Sequence, residues 1–258
     1  MTQQFDVVSF GISDQGLVRQ NNEDVWKSLP SHHFFVLADG MGGHKAGEIA
    51  AYEAVESLSM SIKRIFSSDR KENTEPEHIA DHLHYAIQDA NCWVKQLSEE
   101  NESYAGMGTT LCCFMLHKDQ LVYAHVGDSR IYRFNSVKEL EQLSEDHSLK
   151  NHLLRKGKLT LENMERYPYK NRITKAIGTQ LFVIPDVDFI PVEPEDIFFL
   201  CSDGLTDHLS DEEISRILSE YGCVEKASKI LVDKAKAKGG KDNITIVMIK
   251  ILSKNSEA

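Results

Sequence analysis

The sequence predicts a layered sandwich of helices and sheets with much antiparallel pairing, and three observations predict it. Apolar strand-like runs lie near both ends of the chain, Val7 to Ile12 and "ITIVMIKI" from Ile244. Helical segments come in pairs between the strands. Three short strand-like runs, "TTLCCFML", "LVYAHV" and "RIYRF", follow one another through "HKDQ" and "GDS", the pattern of an antiparallel meander.

Taken in order, the first strand leads through a polar loop carrying Arg19 and the run Asn21 to Asp24 towards a second apolar strand, Phe34 to Ala38, which is expected to end at Asp39. After a glycine-rich turn, Ala51, Ala54, Val55, Leu58, Ile62, Ile65 and Phe66 recur at helical spacing, so Gly47 to about Ser67 reads as an amphipathic helix. Glu75-Pro76 opens a second helix marked by Ile79, Leu83, Ala86, Ile87, Ala90 and Val94, and "SEENES" ends it. The meander follows, with Asp128 at its second turn. From His147 to about Arg172 the chain is polar and basic and breaks the sheet pattern, so it reads as a surface flap beside a site. The strand "IFFLCS", two helices (Asp211 to Glu220 and Val224 to Lys238) and the last strand complete the chain.

A length of 258 residues with 41% hydrophobic content suits one domain spanning residues 1–258. Forty acidic residues against 29 basic ones give a net charge of −11, which disfavours nucleic acid as a partner and suits a protein that concentrates cations. Five cysteines without a C-x-x-C pair make a poor disulfide framework and point to a cytoplasmic chain. The first residues lack the features of a secretory signal, and no apolar run approaches the roughly 20 residues of a membrane span, so no membrane partner is expected.

Function is written in the aspartates. "FFVLADG" at Phe34 returns as "FFLCSDG" at Phe198, and Asp39, Asp203 and Asp242 each stand where an apolar strand meets a glycine-containing turn. Asp24 and Asp128 fall in loops adjoining strands. A single Asp-Gly is ordinarily just a turn; three aspartates at strand ends, two of them in Asp-Gly, are harder to dismiss. If the strands pack side by side the carboxylates converge, and two unit charges about 4 Å apart repel by about 4 kcal/mol at an effective dielectric of about 20. Such a cluster needs cations. Oxygen ligands without Cys or His at metal spacing select Mg²⁺ or Mn²⁺ over zinc, and Gly40 and Gly204 allow a close approach. Two ions about 3.5–4 Å apart would turn a bridging water into a hydroxide at neutral pH, the chemistry of phosphate-ester hydrolysis. Arg19 supplies a guanidinium fork suited to phosphate oxygens.

"SDQGLVRQNNED", "VLADGMGGHKAGE", "GMGTTL", "HVGDSRIYR", "EDHSL", "ITKAIG", "LCSDGLTD" and "GGKDNITIVMI", in this order from about Gly11 to Ile249, resemble the PPM family of metal-dependent serine/threonine protein phosphatases (protein phosphatase 2C-like), most closely its bacterial branch. The resemblance implies an α+β four-layer sandwich, two central antiparallel sheets flanked on each side by helices, with the metal centre at one edge. It implies that Asp39 bridges two Mn²⁺ or Mg²⁺ ions, that Gly40 offers its carbonyl, and that Asp203 and Asp242 complete the set. Glu23 and Asp24 would act mainly through bound waters, Asp128 would help bind a third, weaker ion, and Arg19 would hold the substrate phosphate. Animal members place a His directly after the Asp-Gly as the general acid; here that position is Met41, and His44 is the bacterial-type substitute, with a metal-bound water as the alternative donor. The implied context is a monomeric signalling enzyme that acts on phosphorylated proteins and reverses a bacterial Ser/Thr kinase.

Other readings are weaker. His78 and His82 stand at a zinc-compatible spacing but lack a third ligand nearby. Cys201 is followed six residues on by Asp207 rather than the Arg of a cysteine phosphatase, and "GGK" at Gly239 is not a P-loop. A catalytically weak binding or scaffold member would show a lost metal aspartate, and none is lost. A small-molecule phosphatase on the same centre is the remaining rival, because the motifs define the reaction and not the leaving group.

Overall fold

The structure, a computed structural model, describes residues 5–42, 46–66, 75–135, 137, 139–158 and 172–252. Its strands are β1 (Asp6–Asp14), β2 (Asp24–Leu29), β3 (Phe34–Met41), β4 (Gly108–Thr109), β5 (Leu111–His117), β6 (Gln120–Val126), β7 (Arg130–Asn135), β8 (Glu139–Gln142), β9 (Asp186–Pro191), β10 (Ile197–Cys201) and β11 (Ile244–Leu252). The helices are α1 (Ala46–Ile65), α2 (Pro76–Glu100), α3 (Leu149–Arg155), α4 (Asp203–Thr206), α5 (Asp211–Glu220) and α6 (Val224–Ala237).

Two antiparallel sheets form the centre. One runs β2-β3-β5-β6-β9, with β4 paired to the far end of β3; the other runs β1-β11-β10-β7-β8. The side chains alternate as a pleat requires. On β3, Phe34, Val36 and Ala38 face the layer of α1 and α2, while Phe35 and Leu37 face the opposing sheet. On β11, Ile244, Ile246 and Met248 face α5 and α6, while Val247, Ile249 and Ile251 meet Phe35, Leu37 and Phe114 from the first sheet. Strands covered on both faces must be apolar at nearly every position, which is why "FFVLA" and "ITIVMI" do not alternate. The result is the four-layer sandwich of helices, sheet, sheet and helices.

Local signals set the helix ends. Pro76 occupies the first turn of α2, where a missing N–H costs nothing. Ser210 and Glu213 form a reciprocal capping box at the start of α5.

The structure corrects the sequence reading at four places. The supposed meander breaks at Gly127–Ser129: β5 and β6 are neighbours in one sheet, but β7 pairs with β10 and β8 in the other. β3 does not stop at Asp39 but runs to Met41, because β4 supplies a further partner there. Asp24 is not a loop residue: it is the first residue of β2, in register with Asp39. Asp203 opens the short helix α4 rather than a simple turn. Two edge strands, β8 and β9, also escaped the sequence reading, since "ELEQ" and "DVDFIP" carry little apolar signal. Of the flap, residues 159–171 lie outside the described residues; its root includes α3.

Candidate metal centre

The edge of the sandwich gathers acids from both sheets. Asp39 is fixed through its main chain, since its N–H donates to Thr110 Oγ1 (3.0 Å) and its carbonyl accepts from the Thr110 N–H and the Thr109 hydroxyl (2.9 Å each). Its register partner Asp24 is buried, and Asp24 Oδ2 accepts from Ser202 Oγ (2.8 Å) and Thr245 Oγ1 (2.7 Å) in the opposite sheet. Ser202 directly precedes Asp203, so this bond locks the two sheets together beside the acids. Asn243 organises the remaining loop. Its Oδ1 accepts from the Glu23 N–H, and its Nδ2 donates to the carbonyls of Gln15 and Asn21, all at 2.9 Å.

The approach of these segments is too close for side chains at the glycines. A Cβ on Gly40 would lie 2.2 Å from the Gly47 carbonyl oxygen and 2.8 Å from that of Glu23. One on Gly204 would lie 2.0 Å from the Asn243 carbonyl oxygen. A Cβ on Gly47, in the first turn of α1, would meet the Glu23 carboxylate, so that acid sits at the positive end of a helix. Gly40→Ala is therefore expected to cost about 2 kcal/mol or more, through backbone that must shift, and to misplace Asp39. Equilibrium urea unfolding alongside phosphate release checks this, and a variant with wild-type values in both would contradict it.

Electrostatics mark the same place. Burial, then the neighbouring Asp24, Asp203, Asp128 and Asp242, push the Asp39 carboxyl well above its ordinary range. Burial, followed by Asp128, Asp207 and Asp242, raises Asp203 to about 8. Burial is also the main cause for Asp24 and for Asp128, each raised to about 6. Asp24 Oδ1 and Asp203 Oδ1 are buried with no hydrogen-bond partner. Orphaned carboxylate oxygens in a converging all-acid group are what a hard divalent cation requires, so the residues present fit Mg²⁺ or Mn²⁺. Asp207, four residues after Asp203, and Asp146, which bears on Asp128, join this field and were passed over in the sequence. An i, i+4 spacing within "SDGLTD" was the available signal for Asp207.

Arg19 lies at the rim, with its side chain 53% exposed and Nη2 2.6 Å from Asp242 Oδ2. Leu17 and Val18 beside it are exposed. Asp242 Oδ1 also caps the Asn243 N–H at 2.8 Å. His44 lies outside the described residues.

Among the described residues, one group has ligand atoms within 4.8 Å of one another, and it is His125, His147 and Asp186 rather than the aspartates. The Lys175 ammonium already occupies it, 2.9 Å from Asp186 Oδ1 and 3.1 Å from His147 Nε2.

Sandwich and site together define a metal-dependent phosphatase. Residues 13–233 match the family model for protein phosphatase 2C, and the chain belongs to that family. It is 37% identical over 249 residues to the protein phosphatase PhpP of Streptococcus pneumoniae, covering 95% of this chain and 98% of that one. Among solved structures, the serine/threonine phosphatase Stp1 from Staphylococcus aureus superposes with a TM-score of 0.86 at 35% identity, covering 98% of each chain. The catalytic domain of the serine threonine protein phosphatase PstP, in complex with two manganese ions, gives 0.81 at 30% identity over 96% of this chain and 99% of that one.

Proposed function

We propose that this chain hydrolyses phosphoserine and phosphothreonine in proteins at the carboxylate edge, with Mn²⁺ or Mg²⁺ as cofactor. Asp39, Asp203, Asp242 and the Gly40 carbonyl hold two ions, with Glu23 and Asp24 behind them and Asp128 serving a third. Bound there, the ions supply an activated water and offset the charge of the phosphate. Arg19 binds the phosphate: Asp242 holds one Nη, and the guanidinium keeps further N–H donors for phosphate oxygens. Asp24 keeps its place through Ser202 and Thr245, so the acid group is set before substrate arrives. His44 delivers the proton to the leaving alkoxide. The observation that carries this reading is the convergence of Asp24, Asp39, Asp128, Asp203 and Asp242 from both sheets on one edge.

The setting we infer is cytoplasmic signalling, with a monomeric enzyme opposing a Ser/Thr kinase. Among the described residues no helix is long and apolar enough to cross a membrane. Substrate class is tested by comparing kcat/KM for phosphothreonine peptides with that for sugar phosphates under Mn²⁺. Peptides are expected to win by at least about tenfold, because contacts beyond the phosphate add binding energy in the transition state. Equal or reversed preference would make this a small-molecule phosphatase.

A further inference from the structure

The chain changes sheets at Gly127–Ser129, between β6 and β7. Such a crossing leaves the ladder, so its backbone groups must be satisfied from elsewhere. One residue satisfies both groups of Gly127. Its N–H donates to His147 Nδ1 at 3.0 Å, and its carbonyl accepts from the His147 N–H at 2.9 Å. Gly127 has φ +107°, and a Cβ there would come within 2.7 Å of the Thr110 side chain, so the turn has little room to relax. Beyond Asp128, Ser129 Oγ bonds Thr110 Oγ1 (2.7 Å), the same hydroxyl that accepts from the Asp39 N–H.

We propose that His147 is a positioning residue for Asp128, holding the Gly127–Ser129 turn so that the Asp128 carboxylate stays beside Asp203, and that it ties the flap root to the same turn. Because Nδ1 accepts from Gly127, the ring proton sits on Nε2, 3.2 Å from Asp186 Oδ2. Asp186 is held by Lys175, and the His125 ring stacks on His147 with centroids 4.6 Å apart while its Nε2 donates to the Glu145 carbonyl at 2.9 Å. Asp186 thus fixes the tautomer of the ring and the His125 stack its orientation, while Lys175 Nζ, 3.1 Å from Nε2, gives its hydrogen bond to Asp186 rather than to the ring. Flap attachment runs through the same residue and the two that follow it. The His147 carbonyl accepts from the Thr174 N–H (2.7 Å), Ser148 bridges Ile173, and the Leu149 N–H donates to the Arg172 carbonyl (2.8 Å).

This inference rests on the reading of Asp128 as an ion ligand, and the test separates the two. His147→Asn keeps an acceptor where Nδ1 stood but falls short of Asp186; His147→Gln reaches towards Asp186 and loses the acceptor for Gly127. Amide exchange at residues 127–129 is measured in EDTA, and the Mn²⁺ dependence of phosphopeptide turnover in parallel, with Asp128→Asn as reference.

His147→Gln is expected to exchange at least about tenfold faster and to need at least about tenfold more Mn²⁺ for half-maximal turnover, with KM for the peptide within about threefold of wild type. His147→Asn is expected to match wild type in both, and Asp128→Asn to shift the Mn²⁺ dependence alone. Wild-type exchange in His147→Gln, or equal damage in the Asn and Gln variants, would overturn the proposal. So would an unshifted Mn²⁺ dependence in His147→Gln when Asp128→Asn shifts it. No shift in Asp128→Asn itself would instead remove Asp128 from the ligand set, leaving the exchange arm to judge the clamp. If His147→Gln lacks a cooperative melt, half-exposed Asp186→Ala replaces it: exchange faster by about threefold supports the clamp, and unchanged exchange overturns it.

Discussion

Asp39→Asn is expected to lower Mn²⁺-dependent phosphate release by at least about a thousandfold while raising the melting temperature of the metal-free protein. Loss of activity follows from removing the acid at the centre of the group, in register with Asp24 and electrostatically coupled to Asp203, Asp128 and Asp242. The gain in stability follows from linkage. In EDTA near neutral pH, folding must bring this carboxyl, ionised in the unfolded chain, into a site that holds its pKa well above 3.8, so it costs free energy. An amide of the same shape removes that cost. The Asp39 main-chain bonds to Thr109 and Thr110 do not depend on the side chain, so the fold should survive. Asp203→Asn should behave alike, because its carboxyl is pushed up to about 8 and its Oδ1 has no partner to lose. Calorimetry in EDTA and a phosphate-release assay read both halves. Activity retained within about tenfold, or a lowered metal-free melting temperature, would contradict this account.

A second large effect is expected in how pH and Mn²⁺ combine. Between about pH 6.5 and about pH 8 the unfolded chain has already released its carboxyl protons, near 3.8, whereas folded Asp203 holds its proton up to about 8. The folded state binds more protons in this window, so metal-free stability should fall as pH rises. His125 and His147 act in the opposite sense, being held below 6.5; the unfolded chain is half protonated at these positions at that pH and sheds the rest within about one pH unit, so they offset only the lower part of the window. Asp14 and Asp186, whose pKa values are lowered, matter only in acid, where their stabilisation is lost as pH falls. Mn²⁺ binds the deprotonated folded state, so its stabilisation should grow with pH over the same window. At a Mn²⁺ concentration about a hundredfold above the dissociation constant, the gain is about 2.7 kcal/mol. Melting curves at about pH 6.5 and about pH 8, with EDTA and with Mn²⁺, test the sign. A pH-independent metal-free melting temperature, or equal Mn²⁺ gains at both, would contradict it.

The sequence made the layers legible because both-face burial writes long apolar runs, as in β3, β10 and β11, and one-face burial writes helical spacing, as in α1 and α2. It also made Asp39 and Asp203 legible, since each follows such a run. What it hid was long-range. Nothing local to "HVGDSRIYR" says that the chain changes sheets at Gly127–Ser129; the partners that permit it, Thr110 for Ser129 and His147 for Gly127, lie 19 and 20 residues away. Edge strands β8 and β9 were hidden because their half-exposed, charged sequences look like loop. Asp24 looked like a loop acid because its two hydroxyl partners, Ser202 and Thr245, are 178 and 221 residues distant. "FFVLADG" and "FFLCSDG" look alike, yet the structure uses them differently. The first runs on as strand through Asp39 to Met41, and the second turns into a helix at Asp203.

The most direct test of the central claim is phosphate release from a phosphothreonine peptide with Mn²⁺, with EDTA, and with Mn²⁺ restored in excess over the chelator. Turnover is expected in the first, loss to background in the second and recovery in the third. Turnover that survives EDTA, or none with Mn²⁺ present, would contradict a phosphatase built on these five aspartates.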